Sequence, residues 1–125
     1  MSVKRVLVVD DEKNLCLVIK ACLENIGHWH VLTAQSGNEG LVLAETELPD
    51  AILLDVMMPG MNGLAMFRAL QNNPVTQKIP VILLTAKVQQ VDLDQYAQLG
   101  IAGVLRKPFD PLKLVNQVVE LMGWE

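Results

Sequence analysis

Asp10, Asp11, Asp55, Thr85 and Lys107 have the side-chain types that handle a metal ion and a charged oxyanion together. Carboxylates that converge on one point repel one another and hold their protons more tightly unless a cation is supplied. Oxygen-only ligands favour a hard ion, and magnesium binds through a few carboxylates while keeping several waters. A carboxylate can also attack phosphorus and form an aspartyl-phosphate. Magnesium shared between that carboxylate and the phosphoryl oxygens offsets the charge that builds during transfer. Asp10 and Asp11 thus read as metal-binding residues, and Asp55 as both a ligand and a nucleophile. The Lys107 ammonium is a point-charge donor for an anion, and the Thr85 hydroxyl is a short one. Both would stabilise a phosphoryl group from the other side.

That chemistry needs the five residues at one place, and the surrounding pattern supplies it. Each follows or closes a short apolar run: Val6 to Val9, Ala51 to Leu54, Val81 to Leu84, and Val104 to Arg106. Such runs suit strands covered on both faces. A further strand is expected near His30–Ala34. Between the strands, apolar residues return at helical spacing. The first helix carries Leu15, Val18, Ile19, Cys22, Leu23 and Ile26, with Gly27 as its C-terminal cap. Ser36 to Glu39 matches a capping box, opening a second helix with Leu41, Ala44 and Leu48 inward, ended by Pro49 and Asp50. The turn Pro59-Gly60-Met61-Asn62-Gly63 leads to a third helix with Leu64, Phe67 and Leu70 on one side and Asn72-Asn73-Pro74 as its stop. Gln89 to Leu99 reads as a fourth helix with a mostly polar face of Gln89, Gln90, Asp92, Asp94 and Gln95. Pro111 is expected at the first position of a fifth, with Leu112, Leu114, Val115, Val118, Val119 and Met122 inward.

Strand and helix alternate five times without a linker, which implies an α/β doubly wound parallel sheet with right-handed crossovers. The flavodoxin-like strand order 2-1-3-4-5 places the Asp10-Asp11 pair beside Asp55 at the crevice where such sheets bind ligands.

The rest of the composition narrows the classes of function. With 125 residues, 51% hydrophobic and 19% charged, the chain fits one globular domain, 1–125, with no output domain expected. A net charge of −4 gives no basic face for nucleic acid. The apolar runs are far shorter than a membrane span, and the start has no signal-peptide h-region, so a cytoplasmic protein is expected. Cys16 and Cys22 lie too far apart along one helix to bridge and read as core fillers. His28 and His30 flank Trp29 in a turn, where a solvated role is expected. The methionines at 57, 58, 61 and 66 suit core and loop packing. Trp124 reads as packing on the domain or marking where a longer chain was cut. No G-x-G-x-x-G follows the first strand, which excludes a dinucleotide fingerprint.

Val8-Val9-Asp10-Asp11-Glu12, the segment from Leu53 through Asp55 to Gly63, Leu83-Leu84-Thr85-Ala86-Lys87 and Lys107-Pro108-Phe109 occur in this order along the whole chain. In this, the chain resembles the receiver domains of two-component response regulators, including the chemotaxis-regulator type. The resemblance implies that Asp55 is the phosphoacceptor and that Asp10, Asp11, Asp55 and the backbone carbonyl of Met57 hold Mg2+, Asp10 partly through water. It implies that Thr85 and Lys107 contact the phosphoryl oxygens and that the Lys107–Pro108 bond is cis. The partner would be a sensor histidine kinase or histidine phosphotransfer protein, and the output a downstream protein target reached through a switched surface. The chain would catalyse only its own phosphorylation and dephosphorylation, without contacting nucleic acid or membrane, as a monomer or weak dimer.

Two positions depart from the pattern. Many receivers carry Tyr, Phe or His three residues before the lysine, as a partner of the switch threonine. Here that place is Val104, which has no ring to swing, so a weaker change is expected at 104 than at Thr85. An Asp-Asp-Tyr run before the lysine, common in DNA-binding regulators, is missing, which argues against their dimer interface. In isolation each site residue has a plainer reading: Asp10-Asp11 as a helix start, Asp55 as a turn acid, Thr85 as a strand end, Lys107 as a surface charge. An aspartyl-nucleophile hydrolase is a rival, but Met57 stands where its general acid belongs. A phosphorylation-independent binding module on the same fold is the other; such modules usually lose one of the five residues, and this chain has them all.

Overall fold

The computed structural model describes residues 3–58, 60–86 and 90–124, without the side chains of 90–93. The expected turn role of Pro59, the Lys87 end of the Thr85 motif and the helix start at Gln89 lie outside the described residues, as do the side chains of Gln90 and Asp92. Five strands alternate with five helices: β1 Arg5–Val9, α1 Lys13–Asn25, β2 His30–Ala34, α2 Gly37–Glu47, β3 Ala51–Asp55, α3 Gly63–Gln71, β4 Val81–Thr85, α4 Gln90–Gln98, β5 Gly103–Arg106 and α5 Leu114–Met122. The strands form one parallel sheet in the order β2-β1-β3-β4-β5.

Each strand sends alternate residues to opposite faces. Val6, Val8, Leu53, Ile82, Leu84 and Leu105 meet α1 and α5 through Cys16, Ile19, Leu23, Leu114 and Val118. Leu7, Val9, Ile52, Leu54 and Leu83 meet Ala44 of α2 and Met66, Phe67 and Leu70 of α3. From Val6 in β1, Ala51 in β3 and Val81 in β4 the central strands are therefore apolar at successive positions until a polar residue falls at the carboxyl edge. Register puts Val9 opposite Leu54 and Asp55 opposite Leu84, so the acids after β1 and at the end of β3 emerge side by side.

Helix ends follow local chemistry in part. The Ser36 hydroxyl accepts the Glu39 N–H at 3.1 Å, and Asn62 caps α3 by accepting the Ala65 N–H at 2.8 Å. Four expectations are corrected. Gly27 is not the left-handed cap of α1: the helix ends in right-handed geometry at Ile26, and His28 takes the left-handed conformation (φ 58°). What Gly27 supplies is room, since a Cβ there would meet the Leu23 carbonyl oxygen at 2.8 Å and the Trp29 ring at 3.1 Å. Leu48 does not face the core but closes α2 with φ 47°, exposed. Val18 and Ile26 are also exposed, because the buried stripe of α1 is the narrower Cys16, Ile19, Leu23. Pro111 heads a turn rather than α5, which begins at Leu114 and leaves Leu112 exposed. The Lys113 N–H is taken by Asp110 O at 3.0 Å and the Leu112 N–H by Asp110 Oδ1 at 2.9 Å, so a separate turn precedes the helix.

At the amino edge of the sheet, Trp124 meets Trp29 edge-to-face at 5.1 Å between ring centroids, and Lys4 Nζ lies 4.9 Å from the Trp124 ring centroid. Trp124 therefore packs on the domain, at the end opposite the acidic cluster.

Candidate acidic site at the carboxyl edge of the sheet

Asp10 directly follows β1, and its backbone N–H still donates to Ala34 O of β2 at 3.0 Å. The side chain is fully buried. Its Oδ1 accepts the Glu12 N–H at 2.9 Å, which ties the first turn of the chain to the start of α1. Asp55 closes β3 and is 4% exposed. Beyond it the Val56 N–H donates to Leu84 O at 3.1 Å and the Met57 N–H to Asp55 Oδ1 at 3.2 Å. Asp11 stands at the exposed mouth, and carboxylate oxygens of Asp10, Asp11 and Asp55 all lie within 4.8 Å of one another.

On the other flank the Lys107 N–H donates to Thr85 O at 2.8 Å, extending the β4–β5 pairing past Arg106. Its Nζ sits 2.8 Å from Asp10 Oδ2 and 3.4 Å from Asp55 Oδ1. Thr85 closes β4, buried, in register with Arg106. Met57 follows Asp55 with its side chain exposed, and Val104 is half-buried on β5 against the α3 side of the core. The carboxylates and the lysine thus converge at the switch between β1 and β3.

Burial raises the Asp55 carboxyl to about 6, and the charge of Asp10 adds to the rise; Lys107 and the Met57 N–H offset part of it. Burial works against the charge of Lys107, but the hydrogen bond to Asp10 and the two carboxylates outweigh it and hold the ammonium above its ordinary value. The cluster therefore has an excess of negative charge that one lysine does not cancel. A dense all-oxygen donor set, with one acid at the mouth and two beneath, fits a hard divalent cation.

Sequence reasoning missed two contributors. The Cys16 thiol donates to Asp10 O at 3.3 Å from beneath, and burial followed by the charge of Asp10 pushes it up to about 11, so it stays a thiol. Only its helical spacing pointed inward. A cleft of about 310 Å3 opens beside Lys107, walled by Glu12, Leu15, Val18, Pro108 and Phe109. Its walls come from the start of α1, from Ala86 after β4 and from the loop after β5, where the Lys107–Pro108 peptide is cis.

Residues 6–119 match the sequence profile of the response regulator receiver domain. The chain is 40% identical over 118 residues to PilH of Pseudomonas aeruginosa, covering 92% of this chain and 97% of that one. It is 41% identical over 117 residues to the response regulator PleD of Caulobacter vibrioides, covering 94% of this chain but 26% of the relative. The solved structure of the chemotaxis protein CheY4 of Vibrio cholerae superposes with a TM-score of 0.88 at 28% identity, over 96% of this chain and 99% of that one. With this fold and this cluster, the chain belongs to the response regulator receiver domain family of two-component systems.

Proposed function

We propose that this receiver accepts a phosphoryl group on Asp55 from a phosphohistidine of a sensor histidine kinase or histidine phosphotransfer protein in the cytoplasm. The observation that carries the reading is the meeting of Asp10, Asp11 and Asp55 within 4.8 Å with Lys107 Nζ 3.4 Å from Asp55. Asp10, Asp11 and Asp55 would hold Mg2+, with the Met57 carbonyl as the backbone ligand. Bound there, the ion would neutralise phosphoryl oxygens and favour the ionised form of the cluster.

Asp55 attacks phosphorus in line, forming an O–P bond as the histidine N–P bond breaks. The imidazole nitrogen keeps the bonding electron pair and takes a proton. Lys107 is already poised between Asp10 and Asp55, so its ammonium reaches a phosphoryl oxygen with little rearrangement. Thr85 supplies a hydroxyl donor from the end of β4. Water later attacks the acyl phosphate, releasing inorganic phosphate and restoring the carboxylate. The chain catalyses only these two steps on itself.

Thr85 leads into the segment before α4, and drawing its hydroxyl toward the phosphoryl group alters the surface of α4, β5 and α5. A downstream protein reads that surface. Phosphoramidate, a small donor with a P–N bond, tests the transfer step directly. With Mg2+, 31P NMR should show a new protein acyl-phosphate resonance in the wild type and none in Asp55→Asn. A wild type that gives no such resonance would oppose the reading.

A further inference from the structure

Gly63 is the first residue of α3 and has no positive φ, so conformational freedom does not explain it. Space does. A Cβ at residue 63 would run into the carbonyl oxygen of Asp55 and lie 2.9 Å from Val56 Cα. The atoms it would strike are backbone, and they belong to the acceptor residue and its neighbour. The Gly63 N–H also donates to Val56 O at 2.9 Å, so the start of α3 rests directly on this stretch of chain.

Neither side of that contact has slack. The end of β3 is pinned by the Val56 N–H to Leu84 O bond at 3.1 Å. The start of α3 is pinned by the Asn62 cap and by Met66, Phe67 and Leu70, all at most 2% exposed. A methyl at residue 63 therefore cannot be taken up without straining both sides, and one of those sides is the backbone of Asp55 and Val56. We infer that Gly63 is a positioning residue, whose missing side chain sets where the Asp55 carboxylate and the Met57 backbone stand. This deepens the proposed phosphoacceptor role of Asp55 and rests on it. Metal ligation and in-line attack tolerate displacements of only a few tenths of an ångström, so such a shift would be felt in the chemistry.

Gly60 in the same loop provides the contrast. It has φ +82°, and a Cβ there would meet nothing within 4 Å. Gly60→Ala strains the loop backbone without pressing on Asp55, whereas Gly63→Ala presses on Asp55.

The test compares wild type, Gly60→Ala and Gly63→Ala for fold by amide NMR, thermal midpoint, Mg2+ affinity by calorimetry, and initial phosphorylation rate with acetyl phosphate. Gly60→Ala should lower the midpoint and keep the wild-type rate and Mg2+ affinity. Gly63→Ala should fold, phosphorylate about 10- to 100-fold more slowly, and bind Mg2+ about tenfold more weakly. Wild-type rate and affinity in Gly63→Ala would overturn the inference, as would losses in both variants that simply track their midpoints. If Gly63→Ala unfolds in buffer, trimethylamine N-oxide restores the compact state; recovery of the wild-type rate there would overturn it, and a slow rate would support it. A wild type that takes no phosphate refutes the proposed function, while the Mg2+ comparison still decides the role of Gly63.

Discussion

Replacing Asp55 by Asn should stabilise the metal-free protein, by an amount set by the burial of the acid. The Asp55 carboxyl stands at about 6 against an ordinary 3.8, first because it is buried and second because Asp10 is close. An acid raised in this way is protonated more readily when folded than when unfolded. Ionising it therefore costs stability as pH climbs through the window from about 4 to about 6, and the full cost persists above it. A shift of roughly two units is worth about 3 kcal/mol at pH 7.5, about 1.5 at pH 5 and about 0.5 at pH 4. Asn mimics the neutral acid, so Asp55→Asn should gain about that much over the wild type at each pH. For a domain of this size 3 kcal/mol is roughly 11 °C in thermal midpoint. Calorimetric melts of both proteins in EDTA at pH 7.5, 5 and 4 measure the difference. Added Mg2+ should stabilise the wild type and narrow the gap at pH 7.5. An Asn variant no more stable than wild type at pH 7.5, or a gap that does not shrink on acidification, would refute the reasoning.

Lys107→Met leaves the Asp10–Asp55 pair without its ammonium and should cost about 3 kcal/mol at pH 7.5, less at pH 5 where Asp55 takes up a proton. Urea melts at the two pH values check this, and the same variant should slow phosphorylation by acetyl phosphate. Beryllofluoride with Mg2+ should move the backbone amide resonances of Thr85 and its loop more than that of Val104; no change beyond the acidic cluster would contradict the expected switch. Trp124→Ala removes an edge-to-face ring pair and a cation–π contact worth about 1–3 kcal/mol together. It should lower the thermal midpoint and leave the phosphorylation rate at the wild-type value, because those contacts lie at the opposite edge of the sheet.

The fold was legible because buried parallel strands have no polar face. Val6 to Val9, Ala51 to Leu54 and Val81 to Leu84 are apolar at consecutive positions, and the first polar residue after each marks the edge. Alternation with helices then left few ways to order the strands, and the convergence of Asp10, Asp11 and Asp55 followed from that order. Less legible were features decided by contacts between distant segments. Periodicity grouped Val18 with Ile19 and Cys22, but the stripe that meets the sheet runs through Cys16, Ile19 and Leu23, and Val18, about 200° around the helix from Cys16, lies outside it. Pro111 satisfies the chemistry of a helix start, but Asp110 takes the following amides into a turn. By sequence Gly27 reads as a helix cap and Gly63 as part of a turn, yet each provides space for a neighbour that sequence spacing does not reveal, the Trp29 ring in one case and the Asp55 backbone in the other. The pairing of Lys107 with Asp10 across 97 positions of chain is likewise a product of the β4–β5 register.

The most direct test of the account is intact-mass analysis after incubation with Mg2+ and acetyl phosphate. Wild type should gain the mass of one phosphoryl group, whereas Asp55→Asn, and wild type in excess EDTA, should gain none. An unmodified wild type, or an Asp55→Asn variant that gains the same mass, would contradict the assignment of Asp55 as the acceptor.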